Sequence, residues 1–101
     1  MAKESKFQSD LKKDIKNEYP GCYVFKTDAL QYQGIPDITI LYKDKWAMLE
    51  CKKSADARHR PNQDYYVNRI RNEAYASFIY PENRDEVLQE LRDYFNKEEE
   101  H

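Results

Sequence analysis

The sequence contains few of the residues that build cross-linked or irregular proteins: 2 Cys, 2 Gly and 4 Pro among 101 residues. Two cysteines are too few for a disulfide scaffold, so a reduced protein of the cytoplasm is expected. No apolar run approaches the roughly 20 residues of a membrane-spanning helix, and no apolar segment follows the N-terminal lysines as in a secretory signal. A membrane is therefore not an expected partner.

Aromatic residues, in contrast, are abundant. They make up 14% of the chain, and 9 of them are tyrosines, which argues against disorder. A chain of this length builds one compact core, and no repeat or linker divides it. We therefore expect one domain over residues 1–101, with an acidic tail at about 97–101.

The charges are unevenly distributed along the chain. Residues 43–60 carry six bases and three acids, a net charge of +3, whereas residues 82–101 carry eight acids and three bases, a net charge of −5. The basic block could face a polyanion although the whole chain has a net charge of −2. The simpler alternative is that both blocks are solvated surface.

The spacing of apolar residues predicts the element order α-β-β-β-α-β-α. Apolar residues recur at every fourth position near the N-terminus, which predicts a first helix. Pro20 and Gly21 are expected to end it. Runs of β-forming residues then predict three strands, at residues 22–25, 38–42 and 45–52.

The second half of the chain predicts a helix, a strand and a last helix. Pro61 suits the first turn of a helix, and the apolar pattern extends this helix as far as Tyr75. A short strand follows at residues 77–80. Asn83, with Glu86 three residues later, has the pattern of a capping box that opens the last helix.

The turn between the second and third strands predicts which residues face each other. A two-residue turn after Tyr42 pairs it with Lys45, and the same antiparallel register places Asp37 opposite Glu50. Lys52 lies two residues beyond Glu50 and so points to the same face. Opposed carboxylates repel, and a divalent cation between them would explain the pair. Two carboxylates, a backbone carbonyl and waters suit Mg²⁺ or Mn²⁺; a solvated sheet edge is the alternative.

These residues also carry a resemblance to a known family. The segment Gly34-Ile35-Pro36-Asp37, followed by Glu50-Cys51-Lys52, resembles the PD-(D/E)xK signature of restriction-endonuclease-like nucleases. The Gly-x-Pro-Asp form most resembles the VRR-NUC branch, whose relatives include phage-encoded nucleases and Holliday junction resolvases. The resemblance covers residues 4–95. It implies an α/β fold with an αβββαβ core, in which helices flank a mixed four-stranded sheet, plus a C-terminal helix.

The resemblance implies roles for the residues of the signature. Asp37 and Glu50 would be ligands of Mg²⁺, for which Mn²⁺ would substitute, and the carbonyl of Cys51 would be a third ligand. Lys52 would be the catalytic lysine. No small-molecule cofactor is implied.

Two helix positions are implied as well. Gln63 matches a glutamine that the VRR-NUC branch places at the start of the helix after Glu-x-Lys, where it would face the site. Glu4 matches an acid that family members often carry on the first helix, and Asp14 and Glu18 are its competitors. A solvated helix side chain is the alternative for each of them.

A basic segment follows the signature directly. Its residues could contact DNA phosphates, with a merely solvated loop as the alternative: Lys53, Arg58, His59 and Arg60.

The implied function is that of a Mg²⁺-dependent endonuclease that hydrolyses DNA phosphodiesters. Branched or junction DNA and nicking are the candidate specificities, and a homodimer with two sites is a candidate assembly. Two alternatives stay open, namely a non-catalytic nucleic-acid-binding module and a protein-interaction module on the same fold.

Overall fold

The computed structural model describes the main chain of residues 3–97 and the side chains of residues 6–97. The predicted acidic tail therefore lies almost entirely outside the described residues. The elements follow the predicted order: α1 Lys3–Glu18, β1 Tyr23–Lys26, β2 Ile38–Tyr42, β3 Lys45–Cys51, α2 Pro61–Arg71, β4 Tyr75–Ile79 and α3 Arg84–Phe95. None of the described helices combines the length and the apolar character needed to cross a bilayer.

The four strands form one mixed sheet in the order β1-β2-β3-β4. The first three strands are antiparallel neighbours, and β4 runs parallel to β3. A parallel step cannot be made by a tight turn, and α2 supplies the crossover that it requires. The result is the predicted α/β architecture with a C-terminal helix.

Helices cover the two faces of the sheet unequally. α1 and α3 pack on one face, where the main core includes Leu11 and Leu91 against Ile40 and Leu49, all four fully buried. α2 packs on the other face, over β3 and β4. Among the described residues, no helix covers this face above β1 and β2.

The uncovered part of the sheet, which we call the open face, consists of Tyr23, Phe25, Thr39 and Leu41. Val24 packs into the main core, so its neighbours Tyr23 and Phe25 point to the opposite side. Register pairs Tyr23 with Leu41 and Phe25 with Thr39. The exposed fractions are 69% for Tyr23, 45% for Phe25 and 41% for Leu41.

The sequence prediction for Tyr75 is wrong. α2 ends at Arg71, and Tyr75 begins β4 instead of ending the helix. Its side chain is 8% exposed, and its hydroxyl donates to Glu90 of α3 at 2.6 Å. Tyr75 is buried against α3, on the face of the sheet opposite α2, and this contact favours the strand conformation. The helical spacing of apolar residues contains no information about such a distant contact.

The predicted capping box of α3 does not form. Asn83 occupies the N-cap position without a side-chain capping bond. Its side chain holds the preceding turn instead, because Oδ1 accepts from the Tyr80 N–H at 2.8 Å and Nδ2 donates to the Phe78 carbonyl at 3.1 Å. Glu86 is exposed.

The loop that delivers Asp37 to the sheet is fixed against the start of α2. Gly34 has φ +92°, and a Cβ atom at this position would lie 2.4 Å from Asn62 Cβ. Asn62 in turn donates its side-chain amide to the Gln33 carbonyl at 3.1 Å. Pro36, which precedes Asp37, is fully buried. A glycine is therefore required where the loop meets the helix.

Gly34→Ala should destabilise the protein more than Gly21→Ala. Both glycines have positive φ, but a Cβ atom at Gly21 would meet nothing within 4 Å. Gly21→Ala should therefore cost only the backbone strain of about 1–2 kcal/mol, and Gly34→Ala should cost the steric overlap in addition. Chemical denaturation of both variants measures the difference. Equal losses would show that the approach of the loop to α2 is not a constraint.

Candidate active site

Asp37 and Glu50 occupy directly opposed positions of two neighbouring strands. Their side chains lie on the face of the sheet that α2 covers, which we call the α2 face. The register of β2 on β3 runs from Tyr42 with Lys45 to Ile38 with Leu49, so the next pair is Asp37 with Glu50. The predicted register is thus confirmed. Glu50 is 3% exposed, so one member of the pair lies in the interior.

Hydrogen bonds from two elements fix the Asp37 carboxylate. Oδ2 accepts from the Cys51 N–H at 3.1 Å and lies 3.4 Å from Nε2 of Gln8 on α1. The main chain of Asp37 is held as well, because its carbonyl accepts from the Thr27 N–H at 2.6 Å. The carboxylate is thereby anchored to β3 and α1 beside the end of β1.

Lys52 lies beside Glu50 and is almost as buried, at 8% exposed. Its Nζ is 4.0 Å from Glu50 Oε2 and donates to Gln63 Oε1 at 2.6 Å and to the Arg58 carbonyl at 3.1 Å. A buried ammonium needs such acceptors, because desolvation without them is costly. The structure thus holds the Lys52 ammonium next to the Glu50 carboxylate.

Gln63 connects Lys52 to Glu50 through the two ends of one amide. Nε2 donates to Glu50 Oε2 at 2.9 Å, while Oε1 accepts from Lys52 and also from the Arg60 N–H at 2.9 Å. The bond to Arg60 caps the first turn of α2. The resemblance implied that Gln63 faces the site, and the structure places it there.

A groove of about 1210 Å³ opens above these residues and is lined by the basic segment. Lys53, Arg58 and Arg60 are exposed, as expected of residues that could contact phosphates. His59 also lines the groove but is anchored: its ring stacks on Phe78 with 4.0 Å between centroids, and Nδ1 lies 3.0 Å from Asp64 Oδ1. We call this groove the basic groove.

Cys51 contributes its main chain and not its thiol to this region. Its side chain is 1% exposed and belongs to the core on the opposite face. Its N–H donates to Asp37. A ligand role for its carbonyl stays a prediction.

The competing acids of the first helix do not reach the carboxylate pair. Asp14 is paired with Arg84 and Glu18 with Arg92, so both are engaged with α3. The side chain of Glu4 lies outside the described residues.

Gln8 is the described α1 residue that contacts Asp37, and sequence reasoning missed it. Gln8 follows Glu4 by one helical turn, so the two positions share a face of α1. That spacing was the signal that could have identified it.

The donor set at the carboxylate pair fits Mg²⁺ better than zinc. Among the described side chains, no three His, Cys, Asp or Glu residues come together as a metal cluster. Mg²⁺ is commonly bound through one or two carboxylates while it keeps several waters, whereas structural zinc takes four Cys or His ligands. Asp37 and Glu50 at the edge of an open groove meet the first requirement.

A comparison with solved structures bears on the fold. A structure named "VRR_NUC domain protein" superposes with a TM-score of 0.65 over 93% of this chain and 88% of that chain, at 17% sequence identity. The two chains share one fold. The restriction-endonuclease-like architecture that the motifs implied is therefore confirmed. No protein-family model and no curated protein matches the chain.

Asp37→Asn and Glu50→Gln should leave the metal-free protein as stable as the parent or more stable. Each change removes one of two opposed negative charges, and the amide oxygen can still accept the existing hydrogen bonds. Thermal unfolding in a chelator measures the effect. Leu49→Ala, at a fully buried neighbouring position, is the control that should lose about 2–5 kcal/mol. Losses of that size in the Asn or Gln variants would make the carboxylates structural.

Proposed function

We propose that this protein is a Mg²⁺-dependent deoxyribonuclease that hydrolyses phosphodiester bonds. The observation that carries the proposal is the opposition of Asp37 and Glu50 on one sheet face, with the Lys52 ammonium held beside them. Like charges do not assemble in this way for stability, and a buried lysine next to them adds a second functional group at the same point. The fold shared with a VRR_NUC domain protein supports the same conclusion.

Asp37 and Glu50 are the residues that would hold Mg²⁺, and we propose the Cys51 carbonyl as a third ligand. We propose Glu4 as the first-helix acid that reaches the metal or its waters. When bound, the ion would supply an activated water and a positive charge beside a phosphate oxygen. The hydrogen bonds from Cys51 and Gln8 keep the Asp37 carboxylate in place before the ion arrives. Preorganisation of this kind lowers the cost of assembling the site.

Lys52 would stabilise the negative charge that develops on the reacting phosphate. Its Nζ is already oriented by Gln63 and by the Arg58 carbonyl, so little rearrangement is needed at the moment of reaction. The role of Gln63 is to hold Lys52 and Glu50 in a fixed relation.

The basic groove would bind the DNA backbone. Lys53, Arg58 and Arg60 are exposed along it, and His59 presents one edge of an anchored ring. Contacts of this type fix the position of the strand without reading its sequence. Branched or junction DNA is the proposed substrate geometry.

The direct test is a cleavage panel. Plasmid, single-stranded, flapped and four-way-junction DNA are incubated with Mg²⁺, Mn²⁺ or a chelator, using the parent protein and Asp37→Ala. We expect cleavage with either ion, none in the chelator and none with the variant, together with a heat signal on Mn²⁺ titration that the variant lacks. DNA binding without cleavage under every condition would favour a non-catalytic module. Identical titrations of both proteins would remove the metal site.

Lys52→Ala and the double variant Arg58→Ala with Arg60→Ala should have opposite effects. The first should slow cleavage by a factor on the order of 10² or more and leave DNA affinity in Ca²⁺ nearly unchanged. The second should weaken affinity and reduce the salt slope by roughly one for each lost phosphate contact. The arginine changes spare the main-chain groups that bind Lys52 and Gln63.

Cleavage rates at saturating protein, together with anisotropy titrations at several salt concentrations, separate the two effects. Normal cleavage by Lys52→Ala at saturation would place this lysine among the electrostatic contacts.

A further inference from the structure

The open face lies on the same side of the sheet as the carboxylate pair. Asp37, Thr39 and Leu41 alternate along one chain, so their side chains leave the sheet in one direction. Phe25 is the register partner of Thr39, and Tyr23 is that of Leu41. A path along this face thus leads from Asp37 to two exposed aromatic rings.

A pair of threonine hydroxyl groups lies beside Asp37 and Phe25. Thr27 Oγ1 and Thr39 Oγ1 are 2.7 Å apart, and the Thr27 N–H donates to the Asp37 carbonyl. Phe25 lies directly opposite Thr39 in the register and two residues before Thr27 along the chain. The surface between the site and the rings is therefore continuous and polar without being charged.

The two sides of the carboxylate pair differ in charge. The basic groove leaves the pair toward residues 53–60. A second groove of about 630 Å³ leaves it toward the loop between β1 and β2, and its lining includes Asp28, Leu30 and a single base, Arg60. The open face is not part of this groove, and it adds four uncharged side chains on the same side of the sheet as Asp37. Phosphate contacts are thus available on one side and apolar or aromatic contacts on the other.

We propose that the substrate strand is unpaired where it crosses the open face, and that its bases stack on Phe25 and Tyr23. This inference rests on the proposed nuclease function and names the substrate class. Stacking on aromatic side chains is the way proteins bind single-stranded nucleic acid without strong dependence on sequence. The basic groove would hold the backbone on the other side of the scissile phosphate.

The spacing of Tyr23 and Phe25 along β1 suits bases. Tyr23 and Phe25 are two residues apart on one strand, so their side chains leave the sheet roughly 6.8 Å apart. This distance is about twice the 3.4 Å spacing of successive nucleotides in a stacked strand, so one base can lie between the rings. Paired bases are already stacked on their neighbours and would not be free to enter.

A protein partner fits the open face less well. Two partly exposed rings and one leucine offer well under the roughly 800 Å² per partner that a stable interface buries. The face is also continuous with the candidate site, so an occupant of one reaches the other.

The test compares ring loss with ring retention. The double variant Tyr23→Leu with Phe25→Leu, called the leucine pair, keeps apolar surface but removes both rings. The double variant Tyr23→Phe with Phe25→Tyr keeps both rings. Tyr65→Leu, which removes an exposed ring on α2, is the control. Binding of fluorescent single-stranded and duplex oligonucleotides is measured in a chelator, so that no cleavage is required. The leucine pair should weaken single-strand binding roughly 5-fold to 100-fold at an unchanged salt slope, and the other variants should not.

Cleavage in Mg²⁺ supplies the second readout. The parent protein should cut single-stranded or flapped DNA faster than blunt duplex, and the leucine pair should lose this preference. Unchanged single-strand binding in the leucine pair would overturn the inference while leaving the nuclease proposal intact. Ring-dependent binding without any cleavage would overturn the nuclease proposal instead. A dimer in sedimentation that the leucine pair dissociates would show that a second copy occupies the open face, which also overturns the inference.

Discussion

The register of β2 on β3 is the constraint on which the site depends. It brings two carboxylates face to face, and Asp37 then takes a hydrogen bond from the main chain of β3 beside Glu50. Because side chains alternate along a strand, a slip of β2 by one residue would send Ile38 and Ile40 to the α2 face and Asp37 into the core. The pairing of β2 with β3 therefore determines both which residues form the main core and which residues place their carboxylates on the α2 face.

The second feature that organises the site is the amide of Gln63. A carboxylate at this position would repel Glu50, and an ammonium group would repel Lys52. The amide of Gln63 instead offers an NH₂ group that donates and an oxygen that accepts. Its oxygen also closes the first turn of α2 through the Arg60 N–H. The Gln63 side chain thus stabilises the start of α2 and also connects Lys52 to Glu50 by hydrogen bonds.

Sequence reasoning reached the parts of this site that depend on local patterns. The turn after Tyr42 determines the register, and strand alternation then places Lys52 with Glu50. Predictions that depended on distant contacts did less well. The sequence pattern predicted that Asn83 caps α3, but its side chain is hydrogen-bonded to the preceding turn. Tyr75 fits the helical pattern of α2, but it lies in β4, where its side chain is buried against α3.

The first helix shows the same limit. Asp14, Glu18 and Gln8 are all polar positions on α1. The spacing of Gln8 from Glu4 indicates a shared helix face, but it does not tell whether that face meets α3 or the edge of the sheet. Arg84 and Arg92, some 70 residues away, take the two acids. Gln8 is left beside Asp37, 29 residues away. Only the packing of α1 across the sheet settles these partners.

The order in which these contacts can form has a consequence for the nascent chain. The hairpin of β2 and β3 is local and assembles the two carboxylates by itself. α2, which supplies Gln63 to Lys52, instead packs on the parallel pair of β3 and β4, whose register joins Ala47 to the distant Tyr75. Non-local contacts of this kind carry a larger loop-closure cost and form later. A partly folded chain would therefore hold an incomplete site, and the complete site would form only together with the native state.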